Sequence, residues 1–330
     1  VRTTSGAAGG PVAFINAFDA ATEAVNQGGR RRGANMAVLR VDHPDIEAFI
    51  AAKALPGPLA NFNLSVTVSD RFMQAVAADQ PFDLISPRTG QVVGQRQAGT
   101  LFDQITEAAW RNGEPGLIFI DHVNQSNPTP AAGVIEATNP CGEQPLLPYE
   151  SCTLGSVNLA AMVLDGQIDW QRLRHTIQTA VKFLDNVIEI NRYPLERIEQ
   201  ASKATRKIGL GVMGFADMLI KCGHPYDSQA AVNTAKETMA FVQREARHAS
   251  AQLAQTRGNF PLYSGSIFDQ PDAPHMRNAT VTTIAPTGTI SLIAGVSSGI
   301  EPLYAIAVQR RVLDGNTFYE HHPLFAEMAR

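Results

Sequence analysis

Asn139-Pro-Cys-Gly-Glu-Gln-Pro-Leu-Leu-Pro-Tyr-Glu-Ser-Cys152 is the stretch on which the reading of this chain turns. It lies inside residues 124–156, a run rich in Pro, Asn, Thr and Gly that follows neither a helical nor a strand period. So long an irregular segment within a compact chain marks either function or disorder. If the segment is extended, alternate residues point the same way, and Asn139, Cys141 and Glu143 share a face. Glu143 could then move a proton and Asn139 orient a hydroxyl, with the Cys141 sulfur as nucleophile or hydrogen-atom carrier. The competing reading is a buried structural cysteine beside a capping glutamate. No histidine stands near enough to activate a thiolate, His122 being the nearest in sequence, and this counts against a cysteine hydrolase.

Outward from this segment, strands and helices alternate. Toward the start, Phe14, Ile15, Phe18, Ala21 and Val25 follow helical spacing after Pro11, and Gly28-Gly29 stops that helix. Strands are expected at 36–41, 61–68 and 117–120, helices at 45–53, 70–78 and 101–111, and a hairpin near 87–90. Toward the end, helices are expected at 170–190, 195–205 and 228–255. Residues 208–214 form a glycine-rich strand-to-helix turn, and 281–285 a strand. This alternation predicts an α/β fold with a largely parallel sheet, arranged as one large domain.

The composition narrows the function. Of 330 residues, 44% are hydrophobic and 18% charged, which excludes disorder as a description of the whole. A formal net charge of −4 argues against a nucleic-acid binder. No apolar run reaches the roughly 18–20 residues of a membrane span. Cys141, Cys152 and Cys222 make no disulfide framework and fit a reducing cytosol. They also supply too few closely spaced ligands for a zinc site, so no metal is assigned. Cys222 reads as a small buried hydrophobe. The chain opens on Val1 and stops inside a helical pattern, as a piece of a longer protein or one with ragged ends would.

Three glycine-bearing loops invite a ligand. Pro286, Thr287, Gly288, Thr289, Ile290 and Ser291 follow a strand and offer hydroxyls and backbone N–H groups; a helix starting there makes an anion site, against the alternative of an ordinary capped turn. The Walker A frame and its lysine are missing. Gly209-Leu-Gly-Val-Met-Gly214 has dinucleotide-fingerprint spacing without the acidic partner, and reads as close helix–strand packing. Gly28, Gly29, Arg30, Arg31, Arg32 and Gly33 form either a solvated turn or an anion-binding loop.

Taken in order, these segments resemble the ribonucleotide reductase large subunits. Residues 139–152, continued by Leu154-Gly-Ser-Val-Asn-Leu159, resemble the family's catalytic finger loop. The wording Pro-Cys-Gly-Glu-Gln-Pro-Leu-Leu-Pro-Tyr is similar to that of the adenosylcobalamin-dependent class II, dimeric type. The likeness extends through Gly28-Gly-Arg-Arg-Arg-Gly-Ala-Asn-Met36, Arg40-Val-Asp-His-Pro-Asp-Ile46, Arg206-Lys-Ile-Gly-Leu-Gly-Val-Met-Gly-Phe-Ala-Asp217 and Ala285-Pro-Thr-Gly-Thr-Ile-Ser-Leu-Ile-Ala-Gly-Val-Ser-Ser-Gly-Ile-Glu-Pro302.

The resemblance implies a partial ten-stranded α/β barrel with a central catalytic finger loop. Residues 1–330 would be a single catalytic barrel domain, incomplete at both ends, with the effector and dimer helix and specificity loop in 1–36 and the finger loop region in 124–156. The implied activity is an oxidoreductase of the EC 1.17.4 type, reducing ribonucleotides to 2′-deoxyribonucleotides for DNA synthesis. Cys141 would carry the thiyl radical that abstracts the 3′-hydrogen, Glu143 would take the 3′-hydroxyl proton, and Asn139 would bond the ribose hydroxyls, with Pro140 and Gly142 beside them. Cys152 would be half of a redox pair whose partner lies before Val1. The 286–291 loop would hold the substrate phosphates; Arg2 and residues 28–33 would serve a deoxynucleotide or ATP effector. Adenosylcobalamin as cofactor, a thioredoxin- or glutaredoxin-like reductant, a homodimer of the full-length protein and a cytoplasmic location are implied with them, without membrane or nucleic acid. The alternatives are a class I large subunit needing a separate radical-generating subunit, or a fragment that binds nucleotides without catalysis. Radical chemistry also accounts for the missing histidine, because hydrogen-atom transfer needs a shielded thiol and no thiolate.

Overall fold

The computed structural model describes residues 9–25, 33–55, 57–311 and 316–328, and the chain divides into two units, Val1–Pro148 and Tyr149–Arg330. In the first, α1 (Gly10–Ala24) takes Pro11 into its opening turn, where the missing N–H costs nothing. Then come β1 (Asn35–Arg40), α2 (Ile46–Ile50), β2 (Phe62–Val68) and α3 (Asp70–Ala77), the last capped by Ser69, whose Oγ accepts from the Phe72 N–H. The strands β3 (Pro81–Ile85) and β4 (Val92–Gln97) form the expected hairpin. After them follow α4 (Ala98–Asn112), β5 (Gly116–Phe119), α5 (Ile120–Gln125), β6 (Ala137–Thr138) and β7 (Pro145–Leu146).

The first unit is organised on β2. It is the middle strand of a parallel sheet in the order β1-β2-β5, with Asn35 opposite Phe62 and Ser65 opposite Gly116. Its alternating pattern suggests one buried face, yet Ser65 and Thr67 are buried along with Leu64, Val66 and Val68. Helical crossovers place cover on both faces of a parallel sheet. Ile46, Phe49, Phe72, Leu101 and Ile105 from α2, α3 and α4 join the strand side chains in one core. Phe49 and Phe72, at 1% exposure or less, contribute roughly 2–3 kcal/mol each by burial.

The second unit contains β8 (Thr153–Asn158), the small hairpin of β9 (Val163–Leu164) and β10 (Gln167–Ile168), α6 (Trp170–Ile190), α7 (Glu196–Thr205) and β11 (Ile208–Met213). These are followed by α8 (Phe215–Lys221), α9 (Gln229–Arg257), α10 (Gly288–Ala294), β12 (Ala307–Arg311), β13 (Thr317–His321) and α11 (Pro323–Met328). The long helix α6 runs over the expected residues, capped by Asp169, whose carboxylate accepts from the Arg172 N–H. Leu173, Ile177, Val181, Leu184 and Ile188 make its buried stripe. β8 and β11 pair in parallel, Thr153 opposite Ile208.

Two expectations change here. Residues 153–158 belong to the aperiodic segment in sequence but form strand β8. Residues 281–285 do not form a strand and make a single bridge, Thr282 with Leu210. The Ile208 N–H bonds the Thr280 carbonyl and the Leu210 N–H bonds Val281, so β11 advances two residues while its neighbour advances one, and the ladder slips. The glycine run does serve packing. At Gly214, whose φ is +70°, an added Cβ would lie 2.9 Å from Asn158 Oδ1.

A buried ionic knot ties the helices of this unit. The Asp185 carboxylate, fully buried, accepts from Arg206 Nε at 3.0 Å and Nη2 at 2.7 Å, from Arg257 Nη1 at 2.8 Å and from Asn278 Nδ2 at 3.1 Å. Arg277 Nε stands 3.5 Å away. Among the described residues no helix is long and apolar enough to cross a membrane.

Candidate functional site

In the first unit the short antiparallel pair β6–β7 presents residues 139–144 as a closed turn. The Gly142 N–H donates to the Asn139 carbonyl at 3.0 Å, and the Asn139 N–H to the Gln144 carbonyl at 3.1 Å. Proline second and glycine fourth suit such a turn, and Gly142 has φ +86°. The segment is therefore not extended, and alternation does not set the directions of Asn139, Cys141 and Glu143. Asn139 folds back on the turn, its Oδ1 accepting from the Gln144 N–H at 2.9 Å, so its Nδ2 is the end left to donate. Cys141 is exposed at the corner, Glu143 and Pro140 are half-buried, and Gln144 is buried.

Asparagines shape the approach to this turn in place of a sheet ladder. Asn124 donates to the Ile135 carbonyl at 2.9 Å and accepts from the Ile135 N–H at 2.8 Å. Buried Asn127 donates to the Gly133 carbonyl and accepts from the Thr129 N–H. From β2, Asn63 Nδ2 donates to the Pro140 carbonyl at 2.7 Å. Sequence reasoning missed Asn63; its only signal is a weak strand former at an exposed place in an apolar strand. Replacing Asn63 with Ala is expected to cost about 1 kcal/mol of stability. A urea titration checks this, and an unchanged midpoint would show that the anchor is dispensable.

In the second unit Cys152 is half-buried immediately before β8, its Sγ 3.8 Å from the Thr153 carbonyl oxygen. The two residues before it are held by side chains. Glu150 Oε2 accepts from Lys207 Nζ at 2.6 Å, and Ser151 Oγ lies 2.7 Å from Ser202 Oγ. The 286–291 loop does open a helix, α10. Thr287 adopts φ +55° and is buried, its Oγ1 accepting from the Gly299 N–H at 2.7 Å. Ser291 is buried with its Oγ 3.0 Å from Ser298 Oγ. Two of the loop's hydroxyls thus serve the fold, while Gly288, Thr289 and Ile290 are exposed. Cys222 ends α8 against the core of this unit, and burial pushes its thiol up. Gly33 is half-buried just before β1; Arg2, Gly28, Gly29, Arg30, Arg31 and Arg32 lie outside the described residues.

A family model, the ribonucleotide reductase barrel domain, matches residues 1–329. The chain belongs to the ribonucleotide reductase family. It is 51% identical over 332 residues to the vitamin B12-dependent ribonucleoside-diphosphate reductase of Thermoplasma acidophilum, covering all of this chain and 43% of that protein. It is 52% identical over 331 residues to the enzyme of the same name from Mycobacterium tuberculosis, covering all of this chain and 47% of that one. The ribonucleoside-diphosphate reductase subunit alpha of Chlamydia muridarum is 32% identical across 92% of this chain and 36% of its own length. The chain spans less than half the length of these relatives. The α/β content and the parallel pairings agree with a reductase barrel domain. Among its described residues, no group of three or more His, Cys, Asp or Glu could hold a metal ion.

Proposed function

We propose that this chain is catalytic core of an adenosylcobalamin-dependent ribonucleoside-diphosphate reductase, in which Cys141 carries the radical. The observation that carries the reading is 51–52% identity, along the whole chain, to reductases named as vitamin B12-dependent, against 32% to an alpha subunit. The accompanying architecture is part of a ten-stranded α/β barrel with residues 139–152 as its finger loop; the parallel sheet of the first unit and the parallel β8–β11 pair support it.

Cys141 would carry that radical from the corner of the turn, where the residue is exposed and not shielded as radical chemistry leads one to expect. Adenosylcobalamin, when bound, supplies that radical. Cys141 then takes the 3′-hydrogen atom of the ribose. Glu143 takes the 3′-hydroxyl proton, and the Asn139 amide, its oxygen engaged with Gln144, donates to a ribose hydroxyl. The 2′-hydroxyl leaves as water, two thiols lose two electrons and two protons to form a disulfide, and Cys141 returns its hydrogen atom to C3′. The balance is ribonucleotide plus two thiols giving deoxyribonucleotide, disulfide and water. Cys152 is one of the two thiols, and an external dithiol of the thioredoxin or glutaredoxin kind reduces the disulfide again. Residues 286–291 take the substrate phosphates, supported by the exposed first turn of α10. Arg2 and residues 28–33 serve a deoxynucleotide or ATP effector in a cytoplasmic homodimer.

The test uses the full-length protein with adenosylcobalamin, a dithiol and a ribonucleoside diphosphate. Deoxynucleotide is expected without any second protein. If product forms only once a separate radical-generating subunit is added, the class I reading replaces this one.

A further inference from the structure

We infer that Glu150, Lys207 and the Ser151–Ser202 pair are positioning residues for Cys152, an inference that rests on the redox role proposed for that cysteine. Cys152 immediately precedes β8 and Lys207 immediately precedes β11, and the parallel ladder opens with Thr153 opposite Ile208. The two residues flank the first rung of one pair of strands. Cys152 thus lies one residue outside the ladder.

Side chains supply what the ladder lacks. The Lys207 and Glu150 side chains are 1% and 2% exposed, with Nζ and Oε2 2.6 Å apart. Ser151 Oγ lies 2.7 Å from Ser202 Oγ, and Ser202 is buried on α7. Two successive residues, Glu150 and Ser151, are thus clasped to the residue just before β11 and to the helix α7, and Cys152 comes next. A buried ion pair is a poor way to gain stability, because desolvation cancels most of the attraction and an apolar pair of equal volume does as well. Its directional hydrogen bond does fix one geometry. The clasp acts on Cys152 through the backbone that it holds.

Place matters for this thiol. A disulfide requires Cα atoms about 4.4–6.8 Å apart and a narrow torsion, and small displacements change both its stability and its rate of formation. Cys152 must meet a second thiol during substrate reduction and give up the resulting disulfide to a dithiol afterwards. A clasp that holds its backbone sets the equilibrium between those two states.

The experiment uses the full-length enzyme with Lys207→Met, the charge-swapped Glu150→Lys/Lys207→Glu, Ser202→Ala and Cys152→Ser. Three quantities are read: nucleotide affinity, dithiol-dependent turnover, and the disulfide–dithiol equilibrium against a glutathione or dithiothreitol buffer. Lys207→Met is expected to leave nucleotide affinity unchanged, to lower sustained turnover at least tenfold and to shift the disulfide equilibrium at least tenfold, about 30 mV for this two-electron couple. Ser202→Ala should move the equilibrium in the same direction by less, and the swapped pair should recover part of the turnover lost in Lys207→Met. Should Lys207→Met fail to fold, Ser202→Ala and the swapped pair carry the same comparison. A parental disulfide equilibrium in the variants that fold would overturn the positioning role. Sustained dithiol-dependent turnover in Cys152→Ser would instead overturn the redox role itself, so the two failures are told apart.

Discussion

Replacing Cys141 with Ser in the full-length enzyme is expected to abolish deoxynucleotide formation while leaving nucleotide affinity near the parent's. Serine differs from cysteine by one atom, and the bonds that shape the turn run through the Gly142 and Gln144 N–H groups, the Asn139 side chain and the Asn63 amide. The turn therefore keeps its form. Its chemistry does not survive, because an alcohol O–H is too strong a bond to exchange hydrogen atoms with a carbon-centred radical as a thiol does. The loss should be on the order of 10⁴-fold or more, the scale seen when the reacting group itself is removed. Turnover assays with an equilibrium binding measurement on the same preparation check it. Reduction at even a hundredth of the parental rate would refute the radical role. A drop in nucleotide affinity to match the drop in turnover would point to a collapsed turn instead.

The residues behind that prediction were legible in sequence because chemistry concentrates in side-chain type. Asn139, Cys141 and Glu143 stand close together in a segment with no period, and no core requirement accounts for them. Their arrangement was not legible. Alternation holds for extended chain, whereas Pro140 and Gly142 close a turn and Asn139 spends its oxygen inside it. Long amphipathic elements were read well, α6 residue for residue, because their apolar spacing is itself the signal. The strand β8 was hidden: Thr153-Leu-Gly-Ser-Val-Asn158 carries little apolar alternation, and its strand state comes from pairing with β11. The 281–285 segment shows the reverse, a good strand pattern beside a ladder that slips at Leu210. Anchors such as Asn63 and Lys207 were invisible for a further reason. Each acts on a residue 57 or more positions away, Glu150 being the nearer case, and no local pattern records such a pairing.

The same reason hid Asp185, whose substitution should carry the largest stability cost in the second unit. Asp185 lies on the buried stripe of α6 between Leu184 and Ile188, where a carboxylate is out of place unless charges meet it. Its partners come from Arg206 after α7, Arg257 at the end of α9, and Arg277 and Asn278 beyond it. Burial alone would raise its carboxyl; the hydrogen bond and charge of Arg206, with those of Arg257 and Arg277, outweigh burial and hold it below the usual carboxylate range. Asp185→Asn keeps the volume and removes the charge, leaving Arg206, itself 3% exposed, beside a neutral amide. Glu189 bonds Arg206 Nη1 but is half exposed and cannot replace a buried counter-charge. Breaking a buried pair in this way costs about 3–5 kcal/mol, which lowers a urea midpoint by about 2 M at a slope near 2 kcal/mol per molar. The pH dependence separates this charge effect from mere misfit. Because the folded carboxyl titrates below its unfolded value near 3.9, the parent holds the full contribution above that pH and loses it as pH falls through the lower, folded value. Asp185→Asn has no such contribution to lose, so the stability gap between the two proteins should be widest near neutral pH and shrink steadily below pH 4. Urea titrations followed through Trp170, on the same helix, read both quantities, and a gap that stays constant down to pH 2.5 would mean that shape and not charge is what Asp185 contributes.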